Sequence, residues 1–270
     1  MKRLLFMASA VSLIAVSCCY DPAKDKDEEP QEISEYSESG INQFGEKPVR
    51  TLCISGSDGS ECAIRNFYEN GMLVDCMVGD DLRFIADYEE RPVFHVYSID
   101  GNGRDSETAR LTGTVAKGLI TSLSMESFNS KTGHFEETEV LDYTYDSEGR
   151  PVKRTRKTFG NGGGTGSYQF VWNGGNIVTI NTLSGGVETE SYTITYNDRP
   201  NKSGIIPMVI LMGVDPFFLI GDFYLENYPV SISKDGAQDP ESDVELVWHY
   251  DNDGFPAWVE SSGSRVDFKY

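Results

Sequence analysis

Reactive side chains are few in this chain, and their spacing limits what they can do. Five cysteines, three histidines and 43 acidic residues are the groups from which nucleophiles, metal ligands or acid–base pairs would be drawn. Cys53 and Cys62 flank the Ser/Gly/Asp-rich stretch from Ile54 to Glu61, which reads as a hairpin loop. A disulfide between them would suit an oxidising compartment and leave Cys76 over. A metal site on Cys53, Cys62 and Cys76 lacks the CxxC pair and nearby histidine of a zinc centre, so buried free thiols are the simpler alternative. His95, His134 and His249 are too far apart for ligand spacing and are expected to be structural. Glu136 with Glu137, or Asp80 with Asp81, offers the carboxylate couple of a glycoside hydrolase, although so many acidic residues make such pairs by chance. The sequence has no Gly-x-Ser-x-Gly elbow and no HExxH pair. Asp100-Gly101-Asn102-Gly103-Arg104-Asp105 begins like a calcium loop but puts Arg104 where a ligand oxygen is needed, so it reads as a turn. No cofactor and no metal is expected.

Cys18 has a different kind of chemistry. Lys2 and Arg3 precede an apolar run from Leu4 to Val16, the charged and hydrophobic regions of an export signal. The run is too short to span a bilayer. It ends in Ile14-Ala15-Val16-Ser17-Cys18, which resembles the bacterial lipobox, where the signal is removed and the cysteine acylated. Residues 1–17 are therefore expected to be a lipoprotein signal peptide and Cys18 the lipidation site, with Cys19 as fallback. An ordinary cleaved signal with incidental cysteines is the alternative. Residues 18–47 are rich in Asp, Glu, Ser and Pro and poor in apolar side chains, so they are expected to form a disordered acidic tether. Loss of Lys2 and Arg3 leaves 21 basic against 43 acidic side chains, a net charge of about −22. That field repels nucleic acid and anionic surfaces. Residues 48–270 are long enough for a sizeable core and are expected to form one β-rich domain.

From Val49 onward, short alternating runs are broken by Gly, Asn and Asp about every dozen residues, the pattern of an antiparallel meander. One unit recurs: Tyr143-Thr144-Tyr145-Asp146 with Gly149, then Phe170-Val171-Trp172-Asn173-Gly174, then Ile194-Thr195-Tyr196-Asn197, then Trp248-His249-Tyr250-Asp251 with Gly254. Each copy is expected to be a hairpin: an aromatic strand end, an Asp or Asn tolerant of a tight turn, and usually a Gly for positive φ. Leu141, Tyr143 and Tyr145 share a face, as do Tyr192, Ile194 and Tyr196, and Val244, Leu246, Trp248 and Tyr250. These sets are the expected core. Lys153 to Lys157 place polar groups on both faces, which predicts a curved sheet with a wet surface or lumen rather than a dry sandwich. The Gly160–Gly166 run reads as a hairpin tip, not a phosphate loop. The apolar stretch from Ile205 to Tyr228 is interrupted by Pro207, Asp215 and Pro216 and is expected to be a short helical insertion that plugs one end of the sheet.

The signal, the acidic spacer, the Tyr-x-Tyr-Asp-x-x-Gly-Arg unit and Ile194 to Lys202 before an apolar insertion together resemble a Bacteroides-group family of lipoproteins of unknown function with a porin-like fold. The likeness covers Leu119–Tyr270 well and the earlier part loosely. Lys24 to Glu29 looks like the acidic export tract of that group's surface lipoproteins, with a plain solvated spacer as the alternative. The units also look like YD repeats of Rhs-type proteins, which form far longer arrays. The resemblance implies a barrel-like antiparallel sheet and supplies no catalytic residues. The resulting expectation is an all-β meander of hairpin repeats in an outer-membrane lipoprotein, at the cell surface or on the periplasmic face. Such a protein would meet the membrane through its lipid anchor and serve as a non-enzymatic binding or interaction module. Its wet face, with Trp172, Trp248, Tyr250 or Trp258, would receive a glycan, a peptide or an envelope protein. Two alternatives stand beside it: a carbohydrate-active hydrolase, and an integral outer-membrane barrel, suggested by the alternating ending Val266-Asp267-Phe268-Lys269-Tyr270.

Overall fold

The computed structural model describes residues 47, 49–56, 61–69, 72–87, 92–116, 119–160, 163–204, 206–212, 225–235, 243–261 and 263–270. The signal peptide, Cys18 and all of the tether but Lys47 lie outside the described residues. Seventeen strands carry most of the rest. They are β1 (Thr51–Ser55), β2 (Glu61–Glu69), β3 (Met72–Val78), β4 (Leu82–Asp87), β5 (Val93–Ile99), β6 (Asp105–Ala116), β7 (Leu119–Asn129), β8 (His134–Tyr145) and β9 (Pro151–Thr158). There follow β10 (Thr165–Asn173), β11 (Asn176–Ser184), β12 (Val187–Pro200), helix α1 (Ile206–Met212), β13 (Asn227–Lys234), β14 (Val244–Glu245), β15 (Val247–Tyr250), β16 (Pro256–Ser261) and β17 (Ser264–Lys269).

Strand order in space follows strand order in sequence. Successive strands pair antiparallel from β1 to β14 and from β15 to β17, and β17 pairs back onto β1 over Thr51–Ser55, giving a nearly closed barrel. β14 and β15 are two pieces of one strand interrupted at Leu246, whose N–H donates to Val230 O at 2.9 Å. That side is the thin seam, with only Ser231↔Glu245 and Ile232↔Val244 in register between β13 and β14.

Alternation decides the two surfaces. Register pairs Leu52 with Ile64, Leu123 with Leu141, Phe170 with Ile180, Ile194 with Ile232 and Val259 with Val266, and all of these are buried in one continuous core inside the sheet. Each such side chain contributes about 1.5–3 kcal/mol by leaving water. The opposite face carries Thr155 against Ser167, Thr179 against Thr193 and Thr195 against Ser231. The three expected core sets lie on the inner face, with Tyr145, Tyr196, Val244 and Tyr250 partly buried against the rest. Of the expected wet surface or lumen, it is the outer surface that carries the polar rows, while over most of the described length the inside is filled by the core.

Three turns repeat one design. Asp146 Oδ1 accepts from the backbone N–H of Glu148 and Arg150, Asp251 Oδ1 from Asp253 and Phe255, and Asp100 Oδ1 from Asn102 and Arg104, at 2.8–2.9 Å throughout. The fourth residue of each is a glycine at φ between 75° and 85°, a region that side chains avoid. The Asp100–Asp105 segment, which begins like a calcium loop, is thus this same turn. The unit at Asn197 departs from the expected hairpin: its fourth residue is Pro200, fixed near φ −65°, and β12 runs straight through it into the insertion. The described part of that insertion plugs one barrel end, with Ile206, Ile210, Leu211, Leu225 and Tyr228 buried.

The expected Cys53–Cys62 disulfide is corrected as well. Both cysteines are free, and since Ala63 pairs with Cys53 while Cys62 pairs with Ile54, their side chains leave the sheet on opposite faces. Cys76 is buried inside, and that burial, reinforced by Asp75 and Cys62, pushes its thiol up to about 12. Native protein treated with iodoacetamide at pH 8 should therefore label at Cys53 well before Cys76, read by peptide mass spectrometry, and equal native labelling would contradict this packing. A second test uses Gly113, where an added Cβ would lie 2.5 Å from Pro92 Cγ and 3.2 Å from its carbonyl oxygen. Gly113→Ala is expected to lower stability in urea by about 1–3 kcal/mol, while Gly101→Ala, facing open space, changes it by less than about 0.5 kcal/mol.

Candidate functional site

The aromatic residues singled out from sequence separate into two groups. Trp172 Nε1 donates to Pro151 O at 2.8 Å and Trp248 Nε1 to Pro229 O at 2.6 Å. Tyr145 and Tyr196 make the same kind of bond, to Ile120 O at 2.5 Å and Ile177 O at 2.6 Å, and Tyr270 reaches Pro256 O at 2.9 Å. Each ring ties its own strand back to one of the first few residues of an earlier strand in the meander. These are tethers between neighbouring hairpins, each adding about 0.5–1.5 kcal/mol beyond the burial of the ring. Tyr250 is held similarly, with Asn197 Nδ2 donating to its hydroxyl at 3.0 Å and the Arg199 guanidinium 4.2 Å over its ring.

Trp258 alone among the four faces outward. His249 on β15 stacks on it at 4.3 Å and 13°, and Arg265 on β17 lies 4.5 Å from its centroid. Arg265 is itself held by Asp267, and His249 by Glu260 at 3.0 Å. Neighbouring strands thus already supply the ring's partners.

The suspected catalytic groups are not convergent. Glu136 accepts from Asn129 and Thr132 at its own hairpin tip, Glu137 accepts from Ser124, and Asp80 pairs with Arg65 at 2.9 Å. His95, paired with Glu107 at 2.7 Å, His134 at a tip and His249 occupy three separate strands. Cys53, Cys62 and Cys76 do not share a face.

An inward polar group on β8 to β13 is what sequence reasoning missed. Tyr143, Arg154, Tyr168, Thr182 and Glu190 form one continuous cross-strand row on the inner face. One step towards the barrel end remote from the plug comes the row of Leu141, Arg156, Gly166 and Ser184. Arg154 lies deep, at 7% exposure, with its guanidinium 4.8 Å from the Tyr168 ring centroid. Farther out, Arg156 pairs with Glu139 at 2.6 Å, and its side chain is 41% exposed. Across the sheet Lys234 pairs with Glu190, their side chains 34% and 39% exposed, and Tyr192 donates to Glu190 at 2.6 Å. Side chains that register points inward yet water reaches define a vestibule. A shallow hollow of about 350 Å³ at its rim is lined by Arg156, Thr158, Gly164, Thr165 and Gly166. Two of the inward cations are paired with inward carboxylates, Arg156 with Glu139 and Lys234 with Glu190. The signal was present in the run from Lys153 to Lys157, but which of those side chains turn inward follows only from register.

No family model and no curated protein matches the sequence. Among solved structures, the chain is similar to a porin-like protein from Bacteroides uniformis ATCC 8492, at 13% identity over 83% of this chain and 98% of that one, with a TM-score of 0.54. A porin-like protein from Bacteroides vulgatus ATCC 8482 is similar at 12% identity over 83% and 99%, with a TM-score of 0.52. These likenesses show a shared barrel-like fold.

The vestibule's electrostatics make a testable case. The Lys234 ammonium, aided by the Tyr192 hydroxyl, holds the Glu190 carboxyl below its ordinary value of 4.5. A depressed folded value means that this pair stabilises the fold above that ordinary value and stops doing so as pH falls through the folded value. In Lys234→Gln the Glu190 carboxyl should titrate nearer 4.5 by carboxyl ¹³C NMR. Because both partners meet water, the loss in stability at pH 7 should stay below about 1 kcal/mol.

Proposed function

We propose that this protein is a lipid-anchored, extracytoplasmic binding or interaction module, non-enzymatic and held at the outer membrane by an acyl chain on Cys18 rather than by its barrel. The observation that carries this reading is the polarity of the strands. A barrel in lipid turns an apolar band outward and polar residues inward. Here Leu123, Ile177 and Ile180 are buried inside, while Arg83, Arg110, Lys157 and the Ser/Thr rows face out. An Arg or Lys on the lipid face would cost about 2–4 kcal/mol at mid-membrane. Even the ending that suggested an outer-membrane strand puts Val266 and Phe268 in the core.

A domain with a water-facing exterior needs a separate anchor, and the lipobox-like sequence supplies one. Lys47, where the tether reaches the barrel, lies 4.4 Å from the Phe255 ring and 3.3 Å from Asp253, on the end that carries the Asp146 and Asp251 turns and the plug. If it has the reach of an unstructured chain, as its composition leads us to propose, a tether of about 30 residues spans roughly 30 Å, which keeps the domain at the membrane surface. The porin-like neighbours support an envelope setting through shared fold, and a filled interior favours binding over conduction.

Expression in a Gram-negative host with an alkyne-tagged palmitate analogue tests the reading. The chain should take the label and partition with membranes, and Cys18→Ala should lose the label and enter the carbonate-soluble fraction. Retention of Cys18→Ala in the carbonate pellet would overturn it in favour of an integral barrel.

A further inference from the structure

Exposed aromatic rings interrupt the polar outer face where β7, β8 and β9 reach the barrel end remote from the plug. Phe128 and Phe159 are 47% and 48% exposed. Phe128 is in register with Phe135, and their rings meet edge to face at 5.5 Å and 63°. Phe159, just past β9, donates its N–H to Thr138 O at 2.9 Å. It follows Thr158, which lines the vestibule rim, so alternation puts its ring outside. We propose that this patch docks a segment of a partner protein in which a lysine or arginine lies between apolar side chains. The inference deepens the reading of the chain as an interaction module by naming the partner's chemistry.

Charge selects that partner. One step along the outer face from the ring pair, Glu126 stands directly opposite Glu137, a cross-strand pair of like charges that costs stability. Glu137 accepts from Ser124 at 2.7 Å, while Glu126 has no polar partner among the described residues. Arg110 is in register with Glu126 but turns to Glu107 at 3.0 Å and lies 4.0 Å over the Phe135 ring. With Glu107, Glu126 and Glu137 against that one guanidinium, the surface beside the rings stays negative. Farther out, Lys157 is taken by Asp142 at 2.8 Å, and Lys131 in the hairpin turn is matched in number by Glu136. A cation set between apolar groups would relieve the Glu126–Glu137 repulsion and cover the rings at once.

Other occupants fit less well. A second copy of the chain would bring the same carboxylates face to face. A lipid surface would lie at the other end, where Lys47 meets Asp253. The Phe128–Phe135 contact serves the β7–β8 hairpin itself, but Phe159 has no ring partner among the described residues, so the hairpin does not account for it. Exterior apolar surface rimmed by charge is the usual mark of a docking site.

Fluorescence anisotropy at physiological ionic strength tests this on the full chain carrying Cys18→Ala, with a labelled Gly-Leu-Lys-Leu-Lys-Leu-Gly peptide as the probe. That peptide should bind at least tenfold more tightly than versions with Glu for Lys or Ser for Leu. Glu126→Gln removes one charge and no ring, and Phe159→Ser removes one ring and no charge. Each should weaken binding threefold or more while the urea midpoint stays at or above the parent value. Asp198→Asn, which changes the net charge as much as Glu126→Gln but lies near the plug end, should leave the affinity unchanged. Equal binding of the three peptides, binding of none, an effect of Asp198→Asn as large as that of Glu126→Gln, or indifference to both patch substitutions would each overturn the proposal. So would a dimer in sedimentation, or binding to phosphatidylcholine vesicles, that Phe159→Ser abolishes, because the patch would then belong to a second copy or to lipid. None of these results touches the Cys18 acylation test, so the anchoring and the partner fail separately.

Discussion

The structure depends on parity. Along each strand one set of alternate side chains must be apolar and the other polar, and the two sets must stay in phase through seventeen strands. A slip of one residue would exchange core for surface along a whole strand. Phase is preserved across irregularities, because bulges such as those at Val171/Trp172 and Thr182/Leu183 restore the partition after each break. With the inner set merged in one core, hydrophobic burial closes the sheet, and β17 against β1 completes what the meander begins.

Strand ends are managed by a second layer of interactions. Aspartates at 100, 146 and 251 fold the chain back with the same pair of backbone hydrogen bonds, and strand-end aromatics bind carbonyls of an earlier strand. Together they fix the hairpin spacing that parity requires. Where the turn glycine is replaced by Pro200 the chain cannot reverse, and it spends the next residues crossing the barrel end instead. Asn201, Asn227 and Asn176 bolt down the base of that crossing, with Asn201 Nδ2 donating to Gly204 O at 2.6 Å and to Leu225 O at 2.8 Å, and Asn176 Nδ2 to Asn227 at 2.9 Å.

One sector violates the parity rule, and it is the sector of interest. Glu139, Arg154, Arg156, Glu190 and Lys234 stand at inward positions where Leu or Ile would pack more favourably. Charges there are tolerated because they pair and because the barrel end opposite the plug admits water. A local departure from an otherwise consistent pattern marks a site better than any single residue type does.

The all-β class, the hairpin repeat, the core sets at 141–145, 192–196 and 244–250, and the plugging insertion were legible in the residues, because each rests on alternation or turn chemistry within a dozen positions. Register was not legible, since it couples strands through the whole ring. The sequence therefore made Cys53 and Cys62 look like a disulfide when a one-residue offset sends them to opposite faces. It also made Trp172, Trp248 and Tyr250 look like a platform when closure turns them into tethers. The run from Lys153 to Lys157 announced polar groups on both faces, but only the pairing of Arg154 with Tyr143 and of Arg156 with Leu141 shows which of them point into the barrel. Local chemistry determined what the elements are; closure of the sheet decided which side of each element meets water.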